Sequence, residues 1–568
     1  MIVEALREIQ EELGWVPPHK MRELAEKLEV PLHRIHEVAS FYPLYRLTEP
    51  PKVDVKVCRD MACHIHGAPR LHQSLEAYAN STAPGQIVVE GVSCLGQCDR
   101  PLAISINDHF YYRGMTEREY REKVKQAYDN PKGLEQQFAD SSPMGWKIDP
   151  YGGEPRYEML TKFVKGELDV ESLLKELEAG KLKGMGGAGF PTHIKWGAVR
   201  KEQSDKKYVV CNADESEPGT FKDRELMRRT PYLLVEGLVL AGLVSGAKQG
   251  WVYIRHEYPE EEHAMEKAIE EARSRNLVGD NILGSDYSFD LKMYVSPGGY
   301  VQGEESSLLE AMEDKRGEPR NKPPFPTQKG LWGKPTIINN VETLSWVPAI
   351  LKNGGQWYAD QGVNGATGLR FVSICGDVKK PGVYETPFGM TVRELVMEIS
   401  GGIREGQKLK AIAPSGPSGG FLPAVLRAEN CPPGFVEKYM QGKATLDILD
   451  LQLDGAVLRD LGSMLGAAFV VYGDKQNMVE NALNCTEFFR NESCGKCVPC
   501  RMGSQKMVDI LKEVLDRKYP RKNLQLVHDL SDTMGQTSIC GLGMVAHNPM
   551  AMLMLHFKEE LDQYLKDV

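Results

Sequence analysis

No apolar run in the chain approaches the roughly 20 residues that cross a bilayer. The longest candidate, LLVEGLVLAGLVSGA, carries Glu236 and is predicted to be a core helix. Positive charge is not in excess: 79 acidic against 69 basic residues leave a formal net charge of −10, which gives the chain no reason to seek nucleic acid or anionic lipid. The first residues, MIVEALREIQEELGW, are acidic and amphipathic. They lack the basic start, apolar stretch and small-residue cleavage site of a secretory leader. These absences predict a cytoplasmic protein with no direct membrane insertion, whose thiols stay reduced. A content of 41% hydrophobic and 26% charged residues is that of a globular protein with real cores, and 568 residues suggest roughly three to five domains.

Against that background, 12 cysteines call for an explanation. Eight fall into two sets of four. Cys494, Cys497 and Cys500 stand two residues apart in ESCGKCVPCRMG, and Cys540 follows in TSICGLG. Such gaps let consecutive thiolates converge from one turning loop while a distant fourth closes the site, an arrangement suited to a [4Fe-4S] cubane. Zinc also accepts four thiolates, but its ligands usually pair two and two, not three and one. Gly495, Gly503 and Gly541 suit backbone passing close to an inorganic core. The other set is Cys58 and Cys63 in VCRDMAC, with Cys94 and Cys98 in VSCLGQC. Strand-like runs, KVDVKV and GQIVVEGV, precede both pairs. Two loops at strand ends, each giving two thiolates, suit a [2Fe-2S] rhomb. Cys211, Cys375, Cys431 and Cys485 have no partner nearby in sequence and are expected to be buried small residues.

GKLKGMGGAGFPTHIKW contains Gly184, Gly186 and Gly189 in the GxGxxG pattern. It follows a helical pattern, DVESLLKELEAGK, where a Rossmann loop would follow a strand, so that reading is rejected. Glycine backbone can approach a phosphate or a flat ring closely, and Lys195 can add a phosphate contact; an ordinary glycine turn is the alternative. YVVCNADESEPGTFKDRE then runs a strand into Asn212, Asp214, Glu215 and Glu217. Carboxylates repel phosphate, so this strip suits ribose hydroxyls, a carboxamide or the edge of a flavin. SPGGYVQGEESSLLEAM adds Glu304 and Glu305. NKPPFPTQKGLWGKPTIINNVETL adds Lys322, Asn339, Asn340 and Phe325, an aromatic that either stacks on a base or packs.

GMGGAGFPTHIKW, CNADESEPGTFKDR, GGYVQGEESSLLEAM, KPPFPTQKGLWGKPTIINNVETL and ESCGKCVPCRMG with SICGLG together resemble the flavin-bearing, NADH-oxidising subunit of the complex I NADH-dehydrogenase module and its hydrogenase and formate dehydrogenase relatives. The resemblance runs from about residue 150 to 560. Residues 1–140 resemble the small [2Fe-2S] subunit of the same module, here fused. The implied fold is multi-domain α/β. It comprises a helical N-terminus (1–50), a thioredoxin-like [2Fe-2S] domain (51–140), a non-Rossmann FMN- and NADH-binding domain (150–365), a β-grasp insertion (366–450) and a helical [4Fe-4S] domain (451–568).

The resemblance implies FMN against Gly184, Gly186, Gly187 and Lys195. Asn212, Asp214, Glu215, Tyr300, Gly303, Glu304, Asn339, Asn340 and Thr343 would surround it. NAD(H) would place its adenine toward Phe190 and Phe325. Glu217 and Glu305, the residues assigned to catalysis, would hold it with Lys322 at its ribose and nicotinamide ends. Met185 stands where relatives usually carry Arg, and Ala198 where many carry an aromatic. The expected function is a diaphorase: hydride passes between NAD(H) and FMN, and single electrons between FMN and the clusters.

The chain shows no pterin, nickel or further ferredoxin region, so the resemblance implies a hetero-oligomer. Its partner would carry further iron–sulfur clusters and a molybdenum or tungsten pterin, making this chain the β subunit of a soluble NAD-dependent formate dehydrogenase. Hydrogenase diaphorases, aldehyde or aromatic acyl-CoA redox complexes and complex I are the alternatives, with a non-catalytic assembly scaffold as the reading of a different class. The N-terminal cluster domain is expected to be a separate module on the polar stretch DNPKGLEQQFADSSPMG.

Overall fold

The computed structural model describes residues 2–567; Met1 and Val568, the outer ends of the first and last predicted domains, lie outside them. Three amphipathic helices, Ile2–Leu13, Pro18–Lys27 and Leu32–Phe41, open the chain. Their apolar stripes do not close on one another alone. Ile2, Leu6 and Val38 share one core with Tyr208, Trp251, Tyr294 and Ile338 of the flavin-domain sheet. Tyr42 Oη donates to the Lys315 carbonyl at 2.6 Å, and the Val3 amide to Asp314 Oδ1 at 2.9 Å. The predicted bundle of residues 1–50 exists as helices but has no private core, because short helices must bury their stripes on whatever apolar face is available.

A four-stranded sheet follows, in the order Ile87–Val92, Val53–Cys58, Ala103–Ile106, Phe110–Arg113. Its first pair is parallel and the others antiparallel, and helices Ala68–Thr82 and Glu117–Asp129 pack on it. This is the thioredoxin-like domain.

The next sheet is wholly parallel, in the order Asp290–Ser296, Gln249–Arg255, Tyr208–Ala213, Thr336–Asn340. Its helices include Pro231–Ser245, buried throughout as its apolar sequence predicts. Glu236 within it accepts hydrogen bonds from the Met159 and Leu160 amides at 2.9 and 3.0 Å and from Tyr151 Oη at 3.2 Å. Those amides open the helix Glu158–Val164, so the buried carboxyl satisfies a helix start that would otherwise lack partners.

The insertion is a five-stranded sheet ordered Gly382–Pro387, Leu369–Gly376, Ala468–Gly473, Leu409–Pro417, Leu422–Pro423. Its middle strand, AFVVYG, lies inside the segment assigned to the helical cluster domain, so the boundary at residue 450 is corrected to beyond Gly473. The strand is buried on both faces, which removes the period-two pattern that marks a strand in sequence. The helical domain then runs from Met478–Glu492 and Val498–Leu515 through Gln525–Thr537 to Lys558–Asp562. Among the described residues no helix is long and apolar enough to cross a membrane.

Candidate functional site

The glycine loop is pinched at its base, where the Gly184 amide donates to the Phe190 carbonyl at 2.9 Å. Gly187 has φ +111° with open space where a side chain would stand, so its backbone is open to close approach. A Cβ on Gly186 would lie 3.2 Å from that of Asn340. The loop is tied down by the Met185 amide, which donates to Thr343 Oγ1 at 2.8 Å. Trp196 Nε1 donates to Asn339 Oδ1 at 2.9 Å, fixing the helix Thr192–Lys201 to the sheet. Asn340 accepts from Lys222 Nζ at 3.2 Å and donates to Asp223 Oδ2 at 2.6 Å. The side chains of Asn339, Asn340 and Thr343 thus hold this region in place.

Lys195 Nζ donates to the Ile338 carbonyl at 2.8 Å. Burial lowers its pKa, opposed by Glu305 and reinforced by Lys322. Lys322 Nζ bridges Glu304 Oε1 at 2.7 Å and Glu305 Oε1 at 2.6 Å. The other Glu304 oxygen accepts from the Ser306 and Ser307 amides, both at 2.9 Å, capping the helix Glu305–Met312. Phe190 and Phe325 are 47% and 52% exposed, so both rings are free to meet a ligand.

The acidic strip divides. Asp214 accepts from Ser296 Oγ at 2.9 Å, and burial raises its pKa to about 6. Asn212 Nδ2 donates to the Gly303 carbonyl at 2.8 Å, and a Cβ on Gly303 would come 3.0 Å from the Asp214 carbonyl. Glu215 turns inward, which corrects its placement among the cofactor-facing groups. It accepts from the Asp223 and Arg224 amides at 2.9 and 3.2 Å and from Tyr258 Oη at 3.2 Å, and burial raises its pKa to about 8. Glu217 accepts from Tyr300 Oη and from the Ser418 amide at 3.1 Å, the latter on an insertion loop that the motifs did not flag. The two carboxylates assigned to catalysis therefore sit in different clusters, Glu305 with Lys322 and Glu217 with Tyr300.

Cys58, Cys63, Cys94 and Cys98 are brought together and buried. Cys94 and Cys98 Sγ are 3.4 Å apart, and Cys58 is within hydrogen-bonding reach of Cys63 and Cys94. The Gly96 amide points at Cys94 Sγ at 3.4 Å and the Gly219 amide at Cys98 Sγ at 3.3 Å. Four soft donors with amides aimed at the sulfur fit a [2Fe-2S] centre.

The second set fits a cubane in the same way. Cys494, Cys497 and Cys540 pack around Cys500 in one cluster. Burial raises the Cys500 thiol to about 12, opposed by a bond to Ser493 and reinforced by the neighbouring thiols, and raises Cys540 to about 11. The Leu542 and Gly543 amides face Cys540. Among the described residues no three His, Cys, Asp or Glu side chains converge on one point. In a cluster each iron takes its own thiolates, so the sulfurs surround a volume. Gly495 turns the loop with φ +77°. Gly503 does not face the thiols: a Cβ there would meet Met534 Sδ at 2.4 Å, so it serves helix packing.

What the motifs missed is the junction between the sites. The helix Lys222–Arg229, six of whose eight residues are charged, is almost wholly buried. Arg224 Nη1 donates to the Gly96 carbonyl at 2.6 Å and to Gln97 Oε1 at 2.9 Å, and Nη2 pairs with Asp99 and Glu225. Arg255 Nη2 donates to the Cys94 carbonyl at 2.6 Å. Asn484, on the helix before the second cysteine set, accepts from the Met61 amide and donates to the Arg59 carbonyl, both at 2.9 Å. Glu492 accepts from Ser93 Oγ and from the Tyr300 amide at 2.7 Å, joining the Cys94 loop to the Tyr300 turn two residues before Cys494. The [2Fe-2S] domain is thus clamped into the molecule, which corrects the expectation of a separate module. Buried charges must be paired, and here they are paired across the domain boundary. The nearest sequence signal was KDRELMRR itself, too charged for a core helix unless its partners lie elsewhere.

Family models match in the same order along the chain: a thioredoxin-like [2Fe-2S] ferredoxin over residues 1–127, the Nuo51 FMN-binding domain over 177–349, an SLBB domain over 371–422 and the NADH-ubiquinone oxidoreductase-F iron-sulfur binding region over 480–564. The NADP-reducing hydrogenase subunit HndC of Solidesulfovibrio fructosivorans is 38% identical over 422 residues, 74% of this chain and 81% of that protein. The NADH-quinone oxidoreductase F subunit of Escherichia coli is 36% identical over 439 residues, 75% of this chain and 94% of that one. A crystal structure of NAD+-reducing [NiFe]-hydrogenase in the H2-reduced state superposes with a TM-score of 0.84 at 28% identity, covering 99% of this chain and 92% of that chain. The chain belongs to the flavin iron–sulfur oxidoreductase family of the NADH-quinone oxidoreductase F subunits and their hydrogenase relatives, with FMN, [2Fe-2S] and [4Fe-4S] as its cofactors.

Proposed function

We propose that this chain is the NAD(H)-reactive subunit of a cytoplasmic hetero-oligomeric dehydrogenase. The observation that carries the reading is that Tyr300 and Glu492 tie Glu217 to the loops of both four-cysteine sites, beside an exposed glycine loop and the Lys322–Glu304–Glu305 cluster. FMN, when bound, would supply the conversion of the two electrons of one hydride from NADH into single electrons for the clusters. Gly184, Gly186 and Gly187 offer backbone to it, Lys195 a cation, and Asn212, Asp214 and Gly303 polar edges. Glu305 and Lys322 orient the nucleotide at one end, and Glu217, held by Tyr300, at the other. Phe190 and Phe325 cover the adenine. No side chain acts as acid or base on the hydride; the chain's contribution is alignment.

Cys494, Cys497 and Cys540 are half-buried around the buried Cys500, and beside them Val498 and Met502 are 58% and 59% exposed. An exposed apolar patch at an electron exit suits a partner subunit that covers it and carries the next iron–sulfur cluster. The assembly we favour is a formate dehydrogenase with a molybdenum or tungsten pterin subunit. The second reading, a hydrogenase diaphorase, is supported by the likeness of nearly the whole chain to a chain of an NAD+-reducing hydrogenase structure. Affinity purification from the native host separates them: a co-purifying pterin subunit with formate-dependent NAD+ reduction supports the first, a nickel subunit the second. Purified protein without FMN and iron overturns both.

A further inference from the structure

Cys375 carries no role in the site described above, yet it does not sit in an ordinary core. It lies on the insertion strand Leu369–Gly376, fully buried, and its thiol lies beside that of Cys98. The strand's alternation explains how a residue of the insertion domain gets there. Val372 and Ile374 face the insertion's own core, while Phe371 and Cys375 join the cluster that contains Cys94 and Cys98. Ser373 lies on the same face, and its Oγ accepts from the Phe221 amide at 2.9 Å. That bond lays residues 217–221 along the strand. It brings Gly219 to a point where a Cβ would lie 3.8 Å from Cys375 Sγ and 2.7 Å from Val470 Cγ2, while its amide reaches Cys98 Sγ.

A thiolate bound to iron has no proton to give, so in the pair Cys98 accepts and Cys375, free of metal, donates. Hydrogen bonds to ligand sulfur stabilise the extra negative charge of a reduced cluster and raise its potential. We infer that Cys375 is a positioning residue for the rhomb: its S–H, together with the Gly219 amide, donates to Cys98 and holds the [2Fe-2S] potential up. Two donors to Cys98 then come from outside the domain that binds the cluster, so docking of the insertion and flavin domains sets how readily the rhomb takes an electron.

This rests on Cys98 being a rhomb ligand, which is tested separately by the two-iron EPR signal of the parent and its loss in Cys98→Ser. The inference itself is tested by EPR-monitored redox titration of the full-length protein with Cys375→Ala and Cys375→Ser. At a fixed poise the Ala variant should show an about threefold lower ratio of reduced to oxidised rhomb, or a midpoint about 30 mV lower for a one-electron centre. The cubane midpoint serves as internal control and should not move. Cys375→Ser keeps a donor and should match or exceed the parent. The inference is overturned if Ala leaves the rhomb midpoint in place, if Ser and Ala lower it equally, or if both lose the rhomb while FMN and cubane remain.

Discussion

Arg224 of the flavin domain reaches Asp99 of the thioredoxin-like domain, with 2.9 Å between Nη2 and Oδ2. Asp99 adjoins Cys98, so a fully buried guanidinium from one domain fixes the cluster loop of another. Removing it leaves the Gly96 carbonyl and Gln97 without their donor and Asp99 with only the half-exposed Arg100, while Glu225 keeps Arg228 and Arg229. Breaking a buried pair in this way costs roughly 3–5 kcal/mol. Arg224→Ala should therefore lower the melting temperature and lose rhomb iron before FMN. Iron-to-flavin ratios after gel filtration check this; parental ratios and melting would count against the clamp.

The clusters proposed to hold the nucleotide make a second case. Glu305→Ala removes one of the two carboxylates on Lys322, and Glu217→Ala frees Tyr300 Oη and the Ser418 amide. Each should raise the KM for NADH about tenfold, equivalent to about 1.4 kcal/mol, in ferricyanide reduction. FMN content should stay near the parent's. Loss of flavin at an unchanged KM would put these carboxylates on the other ligand.

The proposed electron exit through the Cys494 set gives the two cysteine sets different expected phenotypes. Ferricyanide reduction draws on the flavin cleft, so Cys497→Ser should largely keep it while the rate through the assembled complex collapses. Cys98→Ser should keep both if its domain stays folded. The opposite pattern, with the physiological rate surviving Cys497→Ser and vanishing in Cys98→Ser, would route electrons through the thioredoxin-like domain.

Glu236 predicts a pH effect on stability. Burial raises its carboxyl from an ordinary 4.5 to about 7, partly opposed by the amides of Leu160 and Met159 and the Tyr151 hydroxyl. A carboxyl whose pKa is raised on folding gives stability that is fully present below the unfolded value and lost as pH climbs through the folded one. The loss thus falls between pH 4.5 and about 7 and amounts to about 3 kcal/mol. Glu236→Gln cannot ionise, so its apparent Tm relative to the parent should rise from pH 5 to pH 8. A gap that is the same at both pH values would mean that folding does not raise the pKa of Glu236.

Both cysteine sets and the glycine loop were legible in the sequence because each is local: spacing over a few residues determines which donors can meet. The buried helix Pro231–Ser245 was legible for the same reason. The clamp was not. Arg224 to Gly96 spans 128 residues and Met61 to Asn484 spans 423, and no periodicity reports such pairs. Glu215 shows a related limit, since a carboxylate in an acidic strip looks the same whether it faces a ligand or caps the next helix. Cys375, read as a buried small residue, is one. What its strand brings it against depended on a neighbour from another domain.

The hold that Asn484 keeps on the Arg59 carbonyl spans 425 residues, and this bears on how the protein is made. At about 5–20 residues per second, a ribosome takes about 20 to 85 s to extend the chain from one to the other. Through that interval the thioredoxin-like domain can fold on its own strands, but its cysteine loops lack the last residues that enclose them, Asn484 and Glu492, even after Gly219, Arg224 and Arg255 have emerged. Delivery of iron and sulfide to Cys58, Cys63, Cys94 and Cys98 therefore has an open window during translation. Once Asn484 has emerged and its helix has docked, the same loops are enclosed, and a rhomb lost from the finished protein has to be replaced through a much narrower opening.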